Sequence, residues 1–296
     1  MTASSHVRGT IDTEVNWGAG VVVSTPAKFR VAGKAALFGG KMLKLKSLFV
    51  AAAFAAILGL FSAAAQAAMT VQPVILDLQM SGRQMGGQIR VENTGTTPLP
   101  VEIRLVEADL LPDTVKASDR LTDDLVAFPA QAIIPPGATQ SFRIQYVGDP
   151  EVDRSRHYYA EVSQLPVEVP GGQSTIQVLY NFQAMINVSS IVAGEPKLTI
   201  ENAEIVRPVA DAPARIAFTV HNAGKNYGYI SSGSLTLIQR DAGGKELFRR
   251  SLNSSDVQQM IGFGLVGPET SRKFVAPIDL ENPEGTAEVL TSGRSR

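Results

Sequence analysis

Val91-Glu92-Asn93-Thr94-Gly95, followed by Pro136-Gly137-Ala138-Thr139-Gln140-Ser141-Phe142, decides the fold because the chain writes it twice. Val220-His221-Asn222-Ala223-Gly224 and Pro268-Glu269-Thr270-Ser271-Arg272-Lys273-Phe274 repeat it, with 49 residues from Asn to Phe in the first copy and 52 in the second. In each copy an Asn-x-Gly turn closes one strand. A Pro-led turn later opens another whose apolar residues alternate. Around these marks the hydrophobic period is two. Segments 70–78, 87–91, 101–106, 141–147, 157–165 and 175–188 read as strands in the first half. Segments 197–206, 215–220, 234–239, 246–251, 273–278 and 287–290 do so in the second. No stretch offers a convincing long amphipathic helix. Short strands at this spacing give an all-β chain of two tandem β-sandwiches, with a boundary at 190–195 where Gly194-Glu195-Pro196 breaks the pattern.

Composition excludes several functions. The chain has 296 residues, 27 Lys and Arg against 28 Asp and Glu, 44% hydrophobic and 19% charged residues, which suits a globular protein. A net charge of −1 argues against nucleic acid as the main partner. The cysteine count is 0, which removes disulfides, zinc–thiolate sites and thiol nucleophiles.

The first 67 residues read as lying outside the fold. Met42 opens a targeting pattern: Lys44 and Lys46, an Ala-rich apolar run, then Ala65-Gln66-Ala67 as a small-x-small cleavage signature. A secretory signal over 42–67 cut before Ala68 fits better than a membrane anchor, because the run is short and ends in small residues. Residues 1–41 read as an upstream extension from a start assigned too early, or as a disordered tail. Domains are expected at 68–192 and 193–296. Residues 68–296 carry 20 basic and 26 acidic residues, a net charge of −6.

The most informative strand is Thr175-Ile176-Gln177-Val178-Leu179-Tyr180-Asn181-Phe182-Gln183-Ala184-Met185-Ile186-Asn187-Val188. Its even positions are apolar and its odd positions mostly Gln and Asn. At about 3.3 Å per residue it reaches roughly 40 Å, against about five or six residues for an ordinary strand. The Ala184-to-Val188 end reads as a core strand. The earlier part, just after Gly171-Gly172, reads as a sheet edge with none of the Lys or Pro residues that usually block edge pairing. An unprotected edge in an exported chain suggests a strand offered to a partner.

Taken in order, several pieces resemble the periplasmic chaperones of the chaperone–usher pilus-assembly family, in particular its archaic or spore-coat-like branch. They are Gln72-Pro73-Val74-Ile75-Leu76-Asp77-Leu78, the Asn93 turn with Val101-Glu102-Ile103-Arg104, and Ile134-Pro135-Pro136-Gly137 with Phe142-Arg143-Ile144. Tyr158-Tyr159-Ala160-Glu161-Val162-Ser163-Gln164-Leu165-Pro166, the alternating strand and Phe263-Gly264-Leu265-Val266-Gly267-Pro268 complete the series. The resemblance implies two immunoglobulin-like domains in a boomerang arrangement, pilin-type secreted subunits and an outer-membrane usher as partners, and a periplasmic location. It implies that Ile176, Val178, Tyr180 and Phe182 are the donor residues that complete a subunit's unfinished sandwich, by β-augmentation without ATP. Self-association through the same strand is a further implied contact.

The sequence departs from the family in one respect. The family's basic pair, an Arg on the first strand and a Lys near the inner end of the donor strand, grips the subunit's terminal carboxylate. Residues 71–78 and 183–190 contain no basic residue; Pro73, and Met185 or Asn187, stand at the corresponding positions. Arg104 and Arg143 are the candidate substitutes, although ordinary surface charge is the simpler reading of both.

Nothing points to an enzyme or to a bound cofactor. His157 and His221 fall in different halves without metal-ligand partners and read as ordinary strand or turn residues. Asp113, Asp119 and Asp123-Asp124 read as a solvated polar loop. No Gly-x-Ser-x-Gly elbow or phosphate loop is present. The rival readings are a fibre subunit or adhesin built of tandem sandwiches, an exported hydrolase or metalloenzyme, and a chaperone for some other secreted client.

Overall fold

A computed structural model describes residues 69–166, 179–209 and 212–292. Residues 1–67, where the upstream extension and the export signal are expected, and Ile176 and Val178 lie outside these residues.

The first half builds two facing sheets. One has the order β1 (Met69–Gln72), β3 (Gly86–Asn93), β8 (Thr139–Tyr146), β6 (Leu125–Phe128). The other has the order β2 (Ile75–Gln79), β10 (Asn181–Ser189), β9 (Arg156–Gln164), β4 (Leu99–Leu110), β5 (Val115–Leu121), with β7 (Gln131–Ile134) also paired to β4. Alternation sends one row from each strand inward. Ile89, Val91, Phe142, Ile144 and Tyr146 of the first sheet meet Val101, Ile103, Ala160, Val162, Ala184, Ile186 and Val188 of the second. Each fully buried aliphatic or aromatic side chain in this row stabilises the fold by about 1.5–3 kcal/mol.

The second half repeats the scheme with β11 (Leu198–Val206), β12 (Arg215–Asn222) and β17 (Ser271–Val275) as one sheet. β14 (Ser234–Arg240), flanked by β15 (Glu246–Leu252) and β18 (Thr286–Ser292), forms the other. A short pair, β13 (Gly228–Tyr229) and β16 (Leu265–Val266), closes one end. Its core holds Ile216, Phe218, Val220, Leu235, Leu237 and Phe274. The Phe218 and Phe274 rings stack with centroids 5.7 Å apart. The seven-residue helix α1 (Ser254–Met260) is capped by Asn253, whose side chain accepts from the Asp256 backbone while Asp256 accepts from the Asn253 N–H.

The repeated sequence is a repeated structure. Met69 faces Asn93 and Val71 faces Val91; Leu198 faces Asn222 and Ile200 faces Val220. Ile89 pairs with Phe142 as Phe218 pairs with Phe274. The buried asparagine is the keystone of each copy. Asn93 accepts from the Gly95 N–H at 2.9 Å and donates to the Thr97 and Ile134 carbonyls, both at 2.8 Å. Asn222 accepts from Gly224 at 2.9 Å and Lys197 at 3.0 Å, and donates to Asn226 at 2.8 Å, Val266 at 3.3 Å and Gly267 at 3.0 Å. A side chain with both amide donors and a carbonyl acceptor is what closing a turn over a buried loop requires.

Two expectations need correction. The first strand is not continuous over 70–78. It breaks at Pro73, which has no N–H for a ladder, so β1 stays antiparallel to β3 in one sheet while β2 crosses to run parallel to β10 in the other. The acidic stretch is a loop only in part: Asp113 and Asp123 are exposed and outside the strands, as expected. Asp119 lies in β5, whose neighbour Arg120 bridges Glu107 at 2.6 Å and Asp109 at 2.7 Å. Asp124 accepts from the Tyr158 hydroxyl and from Arg156, each at 2.5 Å.

Candidate functional site

β10 has two different ends. Over 185–188 it lies between two neighbours, antiparallel to β9 and parallel to β2. Over 181–184 only β9 is beside it. The β2 ladder begins at Met185, whose N–H donates to the Val74 carbonyl at 2.9 Å. On the other side the Tyr180 carbonyl accepts from the Gln164 N–H at 2.8 Å, so even-numbered backbone groups face β9. By alternation Asn181 and Gln183 turn theirs toward the open side. No strand pairs with that side among the described residues. This is an unfinished sheet edge carried by a rigid frame.

The side chains follow the same gradient. Ala184, Ile186 and Val188 are fully buried in the core row. Phe182 and Tyr180 continue that row and pack against the core while remaining half-buried. Leu179, next outward, is 49% exposed, and Val74, where β2 leaves off, is 61% exposed. Tyr180 and Phe182 are therefore in line at the open end; Ile176 and Val178 fall outside the described residues.

The candidate anchors separate. Arg104 lies on the sheet that carries β10, on the face away from the core, in the cross-strand row Arg104–Glu161–Gln183. Its guanidinium is 3.8 Å from the Glu161 carboxylate, which also accepts from Gln183 at 3.1 Å. Arg143 lies on the opposite sheet, paired with Gln88 and Phe128 and donating to Gln145 at 3.1 Å. The structure thus brings only Arg104 toward the open edge, with an acidic residue in between. Met185 and Asn187, the two positions at which the resemblance expects a basic residue, are only 8% and 0% exposed.

Beyond the inner end of β10 lies a feature the sequence reading missed. His157, buried on β9, donates from Nδ1 to the Asn187 side-chain oxygen at 2.7 Å. Asn187, itself fully buried, donates to the Tyr229 hydroxyl at 2.7 Å and to Asp77 at 3.2 Å. Tyr229 donates to the same Asp77 oxygen at 2.6 Å. The rings of His157, Tyr227 and Tyr229 meet edge to face at 5.4 Å each. Burial holds the His157 imidazole down at about 4, against the opposing pull of the Asn187 bond and the Asp77 charge. Burial, then the Asp77 charge, pushes the phenols of Tyr227 and Tyr229 up. The network joins the two sandwiches, together with Arg154–Glu269 at 2.6 Å and the Lys225–Asp153 pair. Asn226 adds a clasp on the connecting chain, accepting from Ser190 and donating to the Ser190 and Gly194 carbonyls. His157 was legible only as a strand residue, because its partners come from distant segments.

No family model matches the sequence, and no curated protein does either. Solved structures with a similar chain path do exist. The chain is 14% identical to the class 5 fimbriae chaperone CfaA, covering 76% of this chain and 99% of that one, at a TM-score of 0.43. It is 14% identical to the E. coli chaperone DraB over 76% and 98%, at 0.44. It is 12% identical to a chain of the CsuC–CsuE chaperone–tip adhesion subunit pre-assembly complex from archaic chaperone–usher Csu pili of Acinetobacter baumannii, over 76% and 98%, at 0.42. Identities this low, with TM-scores under 0.5, leave the function to the chain's own geometry.

Among the described residues no cluster of three or more His, Asp or Glu could hold a metal ion, and no helix is long and apolar enough to cross a membrane.

Proposed function

We propose that this protein is a periplasmic, non-enzymatic chaperone for pilus or fimbrial subunits of the archaic chaperone–usher type. It is exported by the signal at 42–67, folds as domains at 68–192 and 193–296, and hands its clients to an outer-membrane usher. It holds a subunit by lending the strand that runs through Ile176, Val178, Tyr180 and Phe182 into β10.

One observation carries this reading: over 181–184, β10 is paired on one side only, while its inner end is locked into the core between two neighbours. A strand can be lent only if its backbone groups are free on one side and its other end is anchored. The open side supplies N–H and C=O groups for a client's sheet edge, and the row of alternate apolar side chains supplies the filling. Burying four such side chains offers about 1.5–3 kcal/mol each before association costs, enough to hold a subunit stably. Arg104 is the better placed of the two candidate carboxylate anchors, since it lies on the donor sheet. The free protein can cap its own edge by self-association.

The test is Val178→Arg. The variant is expected to stay folded, since the two-sided part of the ladder begins at Met185, and to lose co-purification with co-expressed small secreted subunits. Unchanged co-purification overturns the donor assignment.

A further inference from the structure

The cleft between the two sandwiches has a volume of 520 Å³ and sits beside the inner end of β10. Asp77, Glu195, Tyr227, Tyr229, Asn226 and Ser190 are among its lining residues, and no Lys, Arg or His is. Neither carboxylate forms an ion pair within 4.0 Å among the described residues. Asp77 is nevertheless held in place: one of its oxygens accepts from Tyr229 and from Asn187, and Asn187 is fixed by buried His157. These donors are neutral, so they orient the negative charge without cancelling it. Aromatic walls next to an oriented, uncompensated carboxylate are the chemistry that receives an organic cation.

The cleft lies further along the same ribbon than the open edge, and none of its lining residues falls within 180–186. Asn187 pairs with Asp77 in the β10–β2 ladder, five residues along the same ribbon from Phe182. At about 3.3 Å per residue that is roughly 16 Å. A strand laid against 181–184 runs out of free edge where β2 begins, so its continuation must leave the sheet there. A few further residues reach the cleft.

We infer that this cleft receives a positively charged group, a lysine or arginine side chain or a terminal ammonium, from the polypeptide that docks on β10. The inference rests on the donor-strand reading for its occupant, but the cleft's own preference for a cation can be measured without it. A carboxylate entering the cleft would meet Asp77 and Glu195 with no basic group to offset them.

The experiment is an NMR titration of the protein at low salt with five small probes. Nα-acetyl-lysine amide, Nα-acetyl-arginine amide and glycinamide present the three sources of cation; acetyl-norleucine amide and acetyl-glutamate amide are the neutral and anionic controls. The cations are expected to shift the Asn226 side-chain amide and the Tyr227 and Tyr229 amides, with at least about fivefold tighter binding than norleucine. The strongest of the three identifies the source. The double variant Asp77→Asn, Glu195→Gln keeps an acceptor for Tyr229 and is expected to abolish the preference. If the glutamate probe shifts these signals, or the cations bind no better than norleucine, the inference is overturned. A second arm uses alternating Val/Thr peptides ending in Lys or Glu. Peptide binding without a lysine preference overturns the cleft assignment and leaves strand lending standing. Lysine-probe binding without any peptide binding supports the cleft and overturns strand lending.

Discussion

The two sandwiches begin alike and end differently. Both hang on a buried asparagine, with the same register around Asn93 and Asn222 and the same Phe142 and Phe274 partners. In both, a central strand is flanked by two others: β4 by β5 and β9, and β14 by β15 and β18. The first sandwich then adds β10 outside β9, and β10 is covered by β2 for only part of its length. The second has no strand outside β18 among the described residues. The difference teaches that the half-open strand, on which the proposed function rests, is an addition to a scaffold that closes without it. The half-open strand is the element the second copy lacks.

That comparison can be broken at several points. The largest effect is expected at the keystones. Asn222→Ala strands up to three carbonyls and two N–H groups in a buried loop, and Asn93→Ala strands two carbonyls and one N–H. Each variant should lose about 3 kcal/mol or more in urea unfolding, with Asn222→Ala the worse. If either is neutral, the shared keystone is wrong.

Next comes the contrast within β10. Ile186→Ala removes a fully buried side chain from the two-sided end and should cost about 2–5 kcal/mol of stability. Phe182→Ala, at the half-buried open end, should cost distinctly less stability but weaken subunit capture. Equal stability losses at both positions would mean that the open end is as closed as the inner one.

The joint between the sandwiches should respond to acid through His157. Its folded value of about 4 lies below the ordinary 6.5, so between these values the unfolded chain takes up a proton that the folded protein refuses. Stability from this group is therefore full above pH 6.5 and falls as the pH drops toward 4, by about 3 kcal/mol at the lower end. Urea midpoints of the wild type and His157→Gln, compared from pH 7 to 4, isolate this contribution from that of the carboxylates. A wild-type curve parallel to the variant's rules it out.

The smallest effect concerns the turn after the shared proline. Gly137 has φ of 70°, and its counterpart Glu269 takes φ of 54° with a side chain. Gly137→Ala should cost about 1 kcal/mol, because it adds a Cβ in left-handed backbone. Glu269→Ala keeps the strain already present and gives up only an exposed ion pair with Arg154, so it should be near neutral. Similar losses in both thermal melts would deny that the two turns are equivalent.

Much of the fold was legible. The Asn-x-Gly and Pro-led signatures, with a period of two between them, report local backbone preferences and the burial of alternate side chains. Both are written residue by residue. The segment 115–134 was not legible, because β5 reads polar. Lys116, Asp119 and Arg120 alternate with little apolar signal, and it is the pairing with β4 that makes a strand of them. The apolar row proposed as the donor reads in the sequence as alternation. That β10 is open over 181–184 was not legible, since openness depends on where β2, more than a hundred residues earlier, begins to pair.

The sequence by itself determined the two sandwiches, the paired Asn-x-Gly turns and the alternating ribbon, because each follows from near neighbours in the chain. Only the tertiary structure decided which part of that ribbon lacks a partner and what lies beside it. Asp77, His157, Asn187, Tyr227 and Tyr229 come from separate strands and one connecting segment, and hydrogen bonds of 2.6–3.2 Å link four of them with no sequence spacing to announce it. A local pattern can fix the direction in which a side chain points. Which group waits there is set by the packing of distant segments.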